Sequence, residues 1–165
     1  MREKLNQHPI VASSAAAVLI GLCIFAAFRY FSKPADSLPT RAFFTTDDGK
    51  TWFERDLTSI PPFNDSGGTA VGCTVFAPQQ GGTQFVGILT KFGDRAKADL
   101  DALVKSGASR AAVRQAMMDV PADQKLCKRP GDSDWSSASD AGAMMKLSSQ
   151  IKAPDGSDNY MMVSP

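Results

Sequence analysis

Histidine is almost absent from this sequence, and cysteine is scarce. The only histidine is His8, and the three cysteines are Cys23, Cys73 and Cys127. Residues 32–165 therefore have no imidazole for a catalytic triad or for a histidine-ligated metal. Two cysteines are too few for a structural zinc site, and the glycine pairs lack the lysine of a phosphate-binding loop. These absences predict a protein that is not an enzyme and that holds no cofactor or metal.

An excess of either charge is also missing. The chain has 18 Lys and Arg against 17 Asp and Glu, and the basic residues do not cluster. Nucleic acid is therefore not an expected partner. The aspartates of the turns lack the alternating spacing and the final glutamate of a calcium loop.

One long apolar run, residues 10–28, has no charged side chain. A helix of this length spans roughly the 30 Å hydrocarbon core of a bilayer. A cleaved signal peptide is the alternative, but the run is too long and bulky residues follow it. We therefore predict a cytoplasmic leader over 1–9, a transmembrane helix over 10–31, a linker over 32–41 and a soluble domain over 42–165.

The surroundings of this run predict an orientation and a kind of partner. Its basic flanks nearly cancel under the positive-inside rule, but the short leader favours a soluble domain on the outer side of the inner membrane. Ser13, Ala17 and Gly21 fall at i, i+4 and i+8, a spacing that lets two membrane helices pack closely. They are also ordinary residues of a membrane helix. The predicted partners are the lipid bilayer and other membrane-protein subunits.

The best local signal is a hairpin, with strands over 42–46 and 51–54 around the turn 47–50. Its residues match the Asp-box pattern Ser/Thr-x-Asp-x-Gly-x-Thr-Trp through Asp47, Gly49, Thr51 and Trp52. This motif resembles the Asp-boxes of sialidase-type propellers, which carry several copies. A single copy is typical of a structural turn, and sugar binding is the alternative.

Further elements follow from periodicity and capping. Strands are predicted over 70–77 and 83–92, joined by a Gly-Gly turn, and a last strand over 159–163. Asp94 and Ser109 are predicted to cap two amphipathic helices. The resulting prediction is an α+β fold, in which one N-terminal transmembrane helix precedes a small antiparallel sheet with helices packed on one face.

The sulfur-containing residues leave two alternatives open. Cys73 and Cys127 are a candidate disulfide if the domain is exported, or Cys73 is a buried free thiol. The three methionine pairs fill the core or form an adaptable binding surface; they are Met117-Met118, Met144-Met145 and Met161-Met162.

The layout resembles a family of small, uncharacterised membrane-anchored proteins that is abundant in planctomycete genomes. The resemblance rests on the hairpin over 44–53, on Pro62-Phe63, on the strand pair over 70–92, on the Pro-Gly-x-x-x-Trp element over 130–135 and on the segment 154–165. The chain departs from that pattern at Ala153, where a cysteine often occurs in the family. The resemblance implies a topology but no activity.

Two hypotheses for the function follow. The first is a single-pass, non-enzymatic accessory or structural subunit of a larger membrane assembly. The alternative is a tethered extracytoplasmic binding module for a sugar or a cell-wall ligand, with Trp52 at its centre.

Overall fold

The computed structural model describes residues 40–165, which form one antiparallel sheet of eight strands and three α-helices. Two of the helices follow the fifth strand directly, and the third lies between the last two strands. In chain order the elements are β1 Arg41–Thr45, β2 Phe53–Asp56, β3 Phe63–Asp65, β4 Gly68–Pro78, β5 Phe85–Phe92, α1 Asp94–Lys105, α2 Arg110–Asp119, a 3₁₀ helix Ala122–Gln124, β6 Lys125–Lys128, β7 Ser136–Ser137, α3 Ala141–Ser149 and β8 Tyr160–Met162.

Strand β4 is the centre of the sheet. It pairs with β3 near its start, with β1 and β5 around its middle and with β8 at its end. The main strand order is β2-β1-β4-β5-β6-β7. Val75 and Leu89 on the central strands are completely buried, because strands on both sides and packing above them exclude water.

Of the two predicted helix caps, one is confirmed and the other is displaced by one residue. Ser109 accepts a hydrogen bond from the N–H of Ala112 at 3.2 Å, which caps α2 as predicted. Asp94 is instead the first residue of α1, and Gly93 is its N-cap without a side-chain hydrogen bond. Asp140 caps α3 by accepting from Ala143 N–H at 2.9 Å.

Three apolar clusters hold these elements together. In the first, Leu100 of α1 and Val113 of α2 pack with Ile60 and Phe92. In the second, Trp52 and Trp135 cover Val75, Val86 and Leu89. In the third, Leu147 of α3 and Ile151 pack against Phe76 and Ile88.

The predicted fold is wrong as stated. In place of a small sheet the described residues form eight strands, and their three helices have 12, 10 and 9 residues. Within residues 40–165 no helix has both the length and the apolar character needed to cross a bilayer. The sheet is larger because β3, β6 and β7 are too short or too polar to have a strand pattern and are strands only through pairing.

The predicted leader 1–9, the predicted helix 10–31 and most of the predicted linker lie outside the described residues. So do Ser13, Ala17 and Gly21, the three residues of the predicted helix-packing stripe. Attachment to a bilayer and to other membrane subunits therefore stays a prediction.

Candidate binding groove and its supporting hairpin

Side-chain hydrogen bonds from two residues close the β1–β2 turn. Thr45 Oγ1 donates to Asp47 Oδ1 at 2.8 Å and accepts from Gly49 N–H at 3.0 Å. Asp47 Oδ1 also accepts from Thr51 N–H at 2.9 Å, and Asp47 Oδ2 accepts from Thr51 Oγ1 at 2.7 Å. These contacts join three of the four residues of the predicted hairpin, Asp47, Gly49 and Thr51, in one network. Thr45, which is fully buried, adds the second acceptor.

The adjacent Asp48 joins this turn to a distant part of the chain. Its φ of +60° lies in the left-handed region, which aspartate tolerates better than most residues. One carboxylate oxygen accepts from Lys128 Nζ and the other from Gly131 N–H, both at 2.6 Å. Residues about eighty positions apart are thereby held together, a contact that the sequence analysis missed because nothing local to the turn indicates it.

Lys128 stands at the middle of the resulting cluster. Its side chain is only 13% exposed, and its Nζ also donates to Asp132 O at 2.8 Å. Lys91 Nζ lies 4.5 Å from the centre of the Trp135 ring, within the range of a cation–π contact. The two lysines, Asp48 and Trp135 are among the residues that line a cavity of about 300 Å³.

Trp52, the residue on which the carbohydrate hypothesis depends, is half-buried. Its side chain packs against the cluster of Val75, Val86 and Leu89, so the hairpin contributes to the core at this point. Sugar binding stays a prediction.

The hydrogen bonds of the turn have an electrostatic consequence. The Thr51 hydroxyl and N–H, with the Thr45 hydroxyl, lower the pKa of Asp47 from 3.8 to about 2. A depressed folded-state pKa means that the carboxylate stabilises the fold above its ordinary pKa, and that this contribution is lost as the pH falls toward 2.

We expect Thr51→Val to raise the pKa of Asp47 toward its ordinary value, because the variant loses the hydroxyl donor and keeps the N–H. A pH titration of the Asp47 side-chain carboxyl by carbon-13 NMR measures this. The pKa of Asp155, which Ser157 lowers in a separate turn, is the internal control. An unchanged Asp47 pKa in Thr51→Val would show that the hydroxyl is not the cause.

A mostly apolar groove of about 450 Å³ lies between α2 and the sheet at β5 and β6. Arg114, Met117 and Met118 of α2 share one helix face and form one wall. The remaining lining residues come from the loop after β2, from β5 and β6, and from the segment before α3; they are Leu57, Pro61, Thr90, Lys91, Phe92, Lys125, Leu126, Cys127 and Ala138. We refer to these twelve residues as the α2 groove.

Methionines give the α2 groove its character. Met117 packs against the cluster of Ile60 and Val113, while Met118 is 60% exposed at the rim. The sequence left open whether the methionine pairs fill the core or form a binding surface. In this pair Met117 contributes to the core and Met118 lies at the surface. Flexible, polarisable thioether side chains adapt to an apolar ligand, and the volume lies in the range of binding pockets.

The two cysteines of the domain are both free and lie in different clusters. Cys73 on β4 packs with Val75 and Leu89, whereas Cys127 on β6 packs with Phe76 and lines the α2 groove. Strand β5 lies between them, so the candidate disulfide does not form in this structure. Burial raises the pKa of the Cys73 thiol to about 12 and also raises the pKa of Cys127, which keeps both protonated at neutral pH.

Within residues 40–165 no three His, Cys, Asp or Glu side chains converge in a way that could hold a metal ion.

Comparisons of the chain with protein-family models, with curated proteins and with solved structures found no match. The resemblance to the planctomycete proteins stays a prediction.

Proposed function

We propose that this domain is a non-enzymatic accessory subunit that binds a partner protein through the α2 groove. The observation that carries the proposal is the groove itself. It is open, mostly apolar and about 450 Å³ in volume, and an exposed methionine, Met118, lies at its rim. Exposed apolar patches of this kind mark protein-interaction sites more often than the scattered apolar residues of an ordinary surface.

The arrangement of α2 supports a role in binding in addition to folding. Val113 on this helix is buried in the core, which anchors the helix. Arg114 is the next residue, and Met117 and Met118 follow about one helical turn later; all three line the groove. Because α2 is held by its own core face, a partner would meet a preformed wall, and little ordering would oppose binding.

The proposal is tested by the native size and composition of the tagged full-length chain, recovered from its own cells under mild conditions. We expect a complex that contains a second protein at fixed stoichiometry. Recovery of the chain alone, at the mass of one copy or of a homodimer, would overturn the proposal. Location at the inner membrane stays a prediction and is checked by fractionation in the same experiment.

We expect Met118→Glu to release that partner, with an affinity at least about tenfold weaker. A charge placed at the rim must lose water when an apolar surface covers it, and tenfold corresponds to about 1.4 kcal/mol. The measurement is the fraction of the second protein retained on the tagged variant. Thermal unfolding of the variant confirms that the fold is intact.

Met145→Glu is the matched control, because Met145 on α3 is 74% exposed and lies outside the groove. It introduces the same charge and should retain the partner. If both variants release the partner equally, or if neither does, the α2 groove is not the binding surface.

A further inference from the structure

The charges around the α2 groove have one sign. Two basic side chains line it, those of Arg114 and Lys125, and no acidic residue is among its lining residues. Lys91 also lies at the groove, but side chains alternate along β5 and its Nζ is on the opposite face of the sheet, over Trp135. The whole chain is close to neutral, with 18 basic and 17 acidic residues. The excess of positive charge is therefore local, and it lies beside an apolar surface.

The three cations differ in what they already contact. Lys125 Nζ donates to Met118 O at 2.8 Å, where it also supports the end of α2. Lys91 Nζ lies over the Trp135 ring at 4.5 Å. Arg114 has no ion pair within residues 40–165. Of the two cationic side chains that line the groove, Arg114 is therefore the one that has no carboxylate or carbonyl partner there.

Arg114 also stands in the right place to act with the methionines. It precedes Met117 and Met118 by three and four residues, so the three side chains lie on one face of α2. A guanidinium binds a carboxylate through two parallel hydrogen bonds, which a lysine cannot do. A ligand that has an apolar group next to a carboxylate could therefore contact the two methionines and pair with Arg114 at the same time.

We infer that the α2 groove binds an acidic, apolar peptide segment, in which leucine- or phenylalanine-type side chains are flanked by Asp or Glu. The inference rests on the proposed function, since it states the chemistry of the partner's docking segment. The apolar side chains pack beside Phe92 and Met117, and a flanking carboxylate pairs with Arg114. The charge of Lys125 adds to the preference for acidic over basic segments through the local potential.

The test uses the full-length chain and short fluorescein-labelled peptides, with fluorescence anisotropy as the measurement. One peptide combines leucine with glutamate, a second replaces each glutamate by lysine, and a third replaces each leucine by serine. We expect the first to bind at least about tenfold more tightly than either of the others, with an affinity that falls as salt is added.

The variant Arg114→Glu should bind the leucine–glutamate peptide about tenfold more weakly and the leucine–lysine peptide more tightly. Arg114→Gln, which removes the charge and keeps a polar side chain, should lie between wild type and Arg114→Glu. The control is Arg95→Glu, which makes the same charge change on exposed α1 outside the groove and should bind as wild type does.

The inference is overturned if wild type does not bind the leucine–glutamate peptide, if it binds the leucine–lysine peptide equally well, or if Arg114→Glu and Arg95→Glu behave alike. These outcomes leave the proposed function standing as long as Met118→Glu still releases the native partner. Conversely, loss of the proposed function appears as the absence of any native partner, which the peptide measurements do not affect.

Discussion

Replacing Leu89 by alanine is expected to lower the free energy of unfolding by about 3 kcal/mol. Leu89 lies on β5 with none of its surface exposed, opposite Cys73 of β4 on one side and Lys128 of β6 on the other. Truncation removes buried methyl groups and leaves a cavity that central strands cannot collapse to fill. Such leucine-to-alanine changes cost about 2–5 kcal/mol in other cores.

The measurement is equilibrium unfolding in urea, with the slope compared between variants to confirm that the same surface is exposed. Leu89→Met is the matched control, because it keeps the volume and should cost less than about 1.5 kcal/mol. Equal losses for the two variants would mean that the cost does not come from the cavity.

Gly49→Ala is expected to destabilise the domain by about 3 kcal/mol, through two separate effects. The first is the backbone, since Gly49 has a φ of +85°, where an L-residue costs roughly 1–2 kcal/mol. The second is space, since a Cβ atom there would lie 3.0 Å from Pro130 Cγ and 3.1 Å from Val86. Crowding of this kind costs about 1–3 kcal/mol.

Gly81→Ala separates these effects. Gly81 has nearly the same φ, +84°, and no atom within 4 Å of a built Cβ. It should therefore show the backbone cost alone, about 1 kcal/mol, in the same unfolding measurement. If the two variants lose equal stability, crowding of the new Cβ against Pro130 and Val86 is not a cause of the loss at Gly49.

The contact between the hairpin and the Pro130 loop is the part of this structure that the sequence could not reveal. The pattern of Asp47, Gly49 and Thr51 predicts a closed turn, because each of these residues acts on atoms within four positions. Asp48 acts on Lys128 and Gly131 instead. A carboxylate in a turn looks the same in sequence whether it meets water or a distant lysine.

The strands divide in a similar way. Strands β4 and β5 are long and rich in apolar and β-branched residues, so their own sequences predict them. The four residues of β6 begin and end with lysine, and β7 is two serines. Strand β6 forms because β5 provides an edge with unpaired N–H and C=O groups, and β6 in turn provides the edge for β7; both edges exist only in the folded chain.

Less of the candidate site than of the fold could be predicted from the sequence. The methionine pairs suggested an adaptable binding surface as one alternative. The exposed Met118 at the rim of the α2 groove agrees with this alternative. Nothing in the sequence places Leu57, Phe92 and Leu126 beside this helix, and Arg114 reads as an ordinary exposed charge on an amphipathic helix. The excess of positive charge in the groove is visible only once α2 and β6 lie side by side, which brings Arg114 and Lys125 together.

Residue type and spacing are sufficient to predict the local structure: the hairpin turn, the two long strands and the capped helix α2 with its apolar stripe. Each of these depends on interactions between residues a few positions apart. Only the folded chain sets the number of strands, the partner of Asp48, the packing of Trp52 against the sheet and the existence of the α2 groove. These depend on which distant segments share a surface, and that is set by the burial of the whole apolar core at once.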